Sequence, residues 1–163
     1  MVKFNPLGFL FLCIIMIPNI IFAIKNKDAF ENSIQKKWFK ILEVFEQVGR
    51  YGCFFCMMFN ISGTCFGFSS NFSFRICLVI NGILILNYCL IWITHFRKNN
   101  LFRGIFLSVI PSIIFLFNGV MSKSILLIIF AIIFAPCHIA ISIMNTKKNL
   151  VYNTEEIDLV AKT

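Results

Sequence analysis

Five runs of mostly apolar residues take up most of this chain: Leu7–Ile24, Val44–Phe68, Phe74–Ile93, Gly104–Met121 and Ile125–Met144. Each is close to the roughly 20 residues that a helix needs to cross about 30 Å of hydrocarbon. Backbone polar groups find no water in a bilayer, so a span of this length must satisfy them as a helix. Composition agrees, with 59% hydrophobic and 13% charged residues, against about 45–50% and about 25% in soluble domains. The sequence therefore predicts an all-α polytopic membrane helix bundle with five transmembrane helices. One membrane domain covers residues 1–145, and a polar tail covers 146–163. The 21 Phe are not in themselves a functional signal, because an AT-rich coding sequence yields Phe, Ile, Asn and Lys in abundance and lipid-facing positions absorb them.

The net charge of +8 would suit a nucleic-acid partner in a soluble protein. In a multi-pass protein it reflects the retention of Lys and Arg on the cytoplasmic side. Lys25, Lys27, Lys36, Lys37, Lys40, Arg97, Lys98, Arg103, Lys147, Lys148 and Lys162 fall on one side, and Lys3, Arg75 and Lys123 on the other. With Arg50 set aside, eleven against three places the N-terminus outside and the C-terminus in the cytoplasm of a cell (plasma) membrane protein. The expected partners are the bilayer and a small-molecule or lipid ligand, with self-association or a membrane partner also open, and no nucleic acid. Lys3 and the apolar run to Ala23 also fit a signal peptide, but cleavage there would leave the lysines of residues 25–40 outside. A retained first helix fits the charge rule. Residues 28–43 are expected to form an amphipathic helix on the inner surface, with Phe30, Ile34, Trp38 and Ile41 on one face.

The second run is unusual because it carries charge. On a helix, Glu43, Glu46, Arg50, Cys53, Met57, Asn60 and Thr64 lie within about 100° of circumference, a polar stripe along a membrane segment. Charged groups at membrane depth are costly and face protein or a wet cavity. Gly49, Cys56, Gly63 and Gly67 form a small-residue edge beside the stripe, and Gly63-x-x-x-Gly67 is the spacing of close helix approach. The other runs also show small or polar faces: Cys77, Asn81, Tyr88, Trp92 and His95 in the third, Gly104, Ser108, Pro111 and Asn118 in the fourth, and Ser124, Ala131, Ala135 and His138 in the fifth.

Alternation of direction along five spans brings Asn19, Glu46, Arg50, His95 and His138 to the inner side, and Asn60, Thr64, Asn81 and Asn118 toward the outer. Glu46 and Arg50 have the i,i+4 spacing of an ion pair on one helix. A snorkelling pair at the interface explains them structurally; an anion or headgroup site with Arg50 as a planar donor is the functional reading. His138 follows Pro136 and Cys137. It is either a packed imidazole or a titrating partner of Glu46. Asn19, beside Pro18, is either part of a kink or a hydrogen-bond donor to the same site.

Cys53-x-x-Cys56 is the one motif that looks catalytic, as a thiol pair able to exchange with disulfides and to be served by a quinone. Seven Cys scattered among apolar positions read equally as small buried hydrophobes. Cys65 and Cys77 flank an outer connection and would bridge only if close enough in an oxidising compartment. No spacing of His, Cys and acids specifies a metal site, and no motif specifies a cofactor. Nucleotide-binding, zinc-protease and serine-hydrolase signatures are missing from the sequence.

The inner end of the first run, Glu46–Gly52 (EQVGRYG), Ile110–Phe115 (IPSIIF) and Ala135–His138 (APCH) resemble a group of small bacterial multi-pass membrane proteins without assigned function. The resemblance implies a shared bundle and no activity. The chain does not resemble the tryptophan-rich sensory proteins of similar size, because it has two Trp. The expected function is binding or transport of a small amphipathic or anionic ligand or lipid headgroup from the cytoplasmic leaflet, through Glu46, Arg50, His138 and Asn19, or an accessory subunit role. The alternative is a membrane-embedded enzyme, either a thiol oxidoreductase on Cys53 and Cys56 or a Glu/His acid–base lipid enzyme.

Overall fold

Turn chemistry fixes where the helices begin. Asn5 precedes Pro6, and its Oδ1 accepts from the Gly8 amide at 3.2 Å. An Asn cap with Pro at the first helical position is a strong start signal, and helix α1 runs Pro6–Lys25. Ser70 caps the third helix in the same way, its Oγ accepting from the Ser73 amide at 3.1 Å. The computed structural model describes residues 2–25, 37–94 and 101–160. Within them lie β1 (Val2–Phe4), α1, α2 (Lys37–Met58), β2 (Phe59–Ile61), α3 (Asn71–Thr94), α4 (Leu101–Met121) and α5 (Ile125–Val160).

Three of these helices contain segments long and apolar enough to cross a membrane: Asn71–Thr94, Gly104–Met121 and Ile125–Lys148. Helix α1 offers a shorter apolar stretch, Pro6–Ile21. Helix α2 is outside this group, with Glu43, Glu46 and Arg50 along it. Helices consecutive in the chain run in alternating directions. Gly8 at the start of α1 meets Met57 at the end of α2, α2 lies antiparallel to α5, and α4 turns through Ser122–Ser124 into α5. The helices close a ring in the order α1, α2, α5, α4, α3, with α3 returning to α1. All five feed one core, represented by Ile15, Cys53, Tyr88, Ile114 and Ala131, each at most 2% exposed. Large apolar side chains also cover the outside: Val44, Tyr51, Val79, Leu86 and Ile132 are all more than half exposed. So much exposed apolar surface, beside three helices long enough to span, is compatible with a membrane protein.

The second run departs from its expected course. The helix begins earlier, at Lys37, and ends at Met58. Residues 59–61 turn away as β2 and pair antiparallel with β1, placing Lys3 opposite Asn60. The Met58 carbonyl accepts from the Asn5 amide at 2.7 Å, which closes the helix end. Asn60 and Thr64 are therefore not on the helical stripe. A Cβ at Gly63 or Gly67 would meet nothing within 4 Å; both hold positive φ, 94° and 78°, in the connection, a region that L-residues avoid. That connection is tied to the α4–α5 turn by Ile125 N to Thr64 O at 2.8 Å and by a bridge between Cys65 and Ser124. At the far end, α5 continues as helix to Val160, into the polar tail read from residue 146. Of the amphipathic helix expected over 28–43, residues 37–43 open α2; the rest lies outside the described residues, as does His95.

Candidate functional site

Close approach of two helices builds the site. Gly49 on α2 faces the α5 backbone: a Cβ placed there would sit 2.8 Å from Phe134 Cα. A Cβ on Gly52 would run into the Phe130 ring. These two glycines, not Gly63 and Gly67, are the small-residue contact, and they let α5 lie directly on α2. One turn along, the same approach brings His138 to Glu46, with Nδ1 2.9 Å from Oε1. Arg50 reaches the same oxygen from its own helix, Nε donating at 3.0 Å and Nη2 also donating. One carboxylate oxygen thus joins a guanidinium and an imidazole across the α2–α5 seam.

Burial divides the labour in this triad. Glu46 is 3% exposed, while the side chains of Arg50 and His138 are 34% and 23% exposed. A buried carboxylate without partners would be very costly, and its two donors offset that cost. When Glu46 is ionised it accepts and the His138 Nδ1–H donates. The imidazole is also held from the side, stacked on Phe134 with centroids 4.5 Å apart and planes at 21°. Phe134 in turn packs edge-on to Phe115 at 5.5 Å, and Phe115 against Phe54 at 5.9 Å. Among the described residues Glu46 is the only acceptor recorded for Arg50, which engages it with two of its five N–H donors.

The structure thus joins Glu46, Arg50 and His138, three of the four residues expected to form the site. Asn19 is bonded elsewhere: its Oδ1 accepts from the Tyr88 hydroxyl at 2.8 Å, tying α1 to α3. Cys53 and Cys56 are 0% and 5% exposed and belong to the core. All seven cysteines are free thiols. Cys65 donates to Ser122 O, and Cys77 contacts Asn118 Oδ1, so these two are not bridged. Among the described residues no group of three or more His, Cys, Asp and Glu could hold a metal.

A second polar cluster lies toward the opposite end. Asn81 and Asn118 exchange side-chain hydrogen bonds between α3 and α4, at 3.2 and 2.8 Å. Asn81 is fully buried. Beside them a cavity of about 40 Å³ is lined by Asn5, Asn60, Cys77, Asn118 and Ser122 among others, room for about one water molecule. The reading of the sequence missed the Phe134 stack, the Tyr88–Asn19 bond and Gly52. Tyr88 was legible as part of a polar face, but its partner depends on how α1 leans.

Comparison of the chain with protein-family models, with curated proteins and with solved structures gives no match. The functional reading therefore stands on geometry alone.

Proposed function

We propose that the chain is a multi-pass cell-membrane protein whose five helices all cross the bilayer, N-terminus outside and C-terminus cytoplasmic, and that it binds an anionic group from the cytoplasmic leaflet at Arg50. The ligand class is a lipid headgroup or a small amphipathic anion. The observation that carries this reading is the division of burial in the triad. Glu46 is sealed in the seam and fixes the guanidinium, while a third of the Arg50 side chain stays exposed. A fork of donors held in place is suited to a phosphate or carboxylate. Support for the membrane setting comes from the three long apolar helices. The exposed apolar surface supports it too. So does the alternation of helix direction, which brings the end of α1 to the same end as Glu46, beside Lys37 and Lys40 at the start of α2.

The test is thermal unfolding in neutral detergent with added phosphatidylglycerol, phosphatidylcholine or dodecyl phosphate. The two anionic compounds should raise the midpoint and the zwitterionic lipid should not. Arg50→Ala should weaken the anion effect by about tenfold or more in concentration, the scale of a charged hydrogen bond, and Arg50→Lys by less. An anion response unchanged in Arg50→Ala would sink the proposal. Dodecyl phosphate acting without the lipid would mark a soluble amphipathic ligand.

A second reading makes the triad a clamp in an accessory membrane subunit, and the tight Gly49–Phe134 approach favours it. Under that reading Arg50→Ala lowers the unfolding midpoint without any anion present, and no anion response exists to be lost. The thiol-oxidoreductase alternative has little to support it, since Cys53 and Cys56 face the core.

A further inference from the structure

We propose that two copies of this chain associate in the membrane through the outer face of α3, with Asn87 of each copy hydrogen-bonded to Asn87 of the other. The inference rests on the membrane-spanning reading of α3 and is independent of the anion site. Helix α3 turns Cys77, Asn81, Ile85 and Tyr88 into the bundle. Its other side shows Val79, Ile83, Leu86 and Leu90, each about half exposed or more. At the two margins of that stripe stand Gly82 and Asn87. Gly82 is exposed, and a Cβ there would meet nothing within 4 Å. Asn87 is also exposed and lies closer to the middle of α3 than to either end.

An exposed amide at that depth is out of place against lipid. One Asn87 Nδ2 hydrogen is taken up by the Ile83 carbonyl of its own helix at 2.9 Å. Among the described residues the other amide hydrogen and Oδ1 have no partner. In hydrocarbon such groups are satisfied by another helix, and small residues beside them let the backbones approach. No other exposed amide lies as deep within the candidate spans of α3, α4 and α5.

The occupant is a second copy because of symmetry and chemistry together. Two chains inserted the same way are related by a two-fold axis along the membrane normal, which puts both Asn87 side chains at one depth. An amide carries a donor and an acceptor, so it is complementary to itself in a two-fold contact. The chain already uses this device internally, in the reciprocal Asn81–Asn118 pair.

The test is energy transfer between donor- and acceptor-tagged full chains in phosphatidylcholine vesicles, read as lipid dilution increases. Wild type should titrate as a monomer–dimer equilibrium. Asn87→Leu should weaken association by about tenfold, equivalent to about 1.4 kcal/mol. Asn87→Gln, which keeps the amide, should retain most of it. Gly82→Leu, about 140° round the helix from Asn87, and Leu116→Ala on the exposed side of α4 should not weaken it. A wild type that is monomeric at every dilution, or an Asn87→Leu variant that associates like wild type, overturns the proposal. Extraction of the protein by alkaline carbonate would instead show that the membrane reading itself fails.

Discussion

Glu46 is the residue on which the α2–α5 seam depends most. Removing it strands Arg50 and His138 beside a buried space, whereas removing either donor leaves the carboxylate one partner. Glu46→Ala should therefore cost about 3–5 kcal/mol, the scale for breaking a buried pair from one side. His138→Phe keeps the stack on Phe134 and removes one donor; it should cost less, about 1.5–3 kcal/mol. Unfolding titrated with sodium dodecyl sulfate in mixed micelles measures both, and equal losses would refute this ranking. The Asn81–Asn118 pair follows the same logic. Asn81→Leu alone leaves Asn118 Nδ2 without its cross-helix acceptor, at about 0.6–2 kcal/mol. The double variant with Asn118→Leu should cost less than the two single changes added together; strict additivity would show that the pair does not interact.

At the scale of the element, α2 is defined by what its glycines permit. Gly49 and Gly52 lie toward α5 because a side chain at either position would meet Phe134 or Phe130. Gly49→Ala should push the two helices apart and lengthen the Glu46–His138 contact, destabilising by about 1–3 kcal/mol. Gly63→Ala meets no neighbour. Its cost should come from the φ of 94° alone, about 1–2 kcal/mol. The two variants are distinguished by Arg50-dependent anion stabilisation: Gly49→Ala should lose it and Gly63→Ala should keep it. The helix ends where β2 begins, because Asn5 takes the last carbonyl and β1 supplies a strand partner. A residue count of apolar positions has no access to that partner, since it comes from the other end of the sequence.

For the whole molecule the alternating helices put two kinds of connection at opposite ends. The paired strands and the Ser122–Ser124 turn gather at one. The C-terminal ends of α1 and α3 lie at the other. A C-terminal alkaline phosphatase fusion should be silent in cells and a fluorescent-protein fusion at the same place should be bright. A phosphatase inserted after Ser70 should be active. An active C-terminal phosphatase would invert the molecule and move Arg50 to the outer leaflet.

The all-helical class, the run boundaries in α1, α3 and α4 to within a few residues, and the inward faces of α3 through α5 were already determined by the sequence. Apolar length and helical period are local properties, and a chain cannot hide them. The Glu46–Arg50 pair was legible for the same reason, because four residues on one helix fix the distance between them. Tertiary structure alone decided which glycines touch, that His138 reaches Glu46 while Asn19 turns to Tyr88, and that the second run stops at Met58. Each of these depends on a partner distant in sequence: Phe134 against Gly49, Tyr88 against Asn19, and β1 against β2. Helix-to-helix approach is set by side-chain volume at the crossing point, and no periodicity along one segment records what stands opposite it.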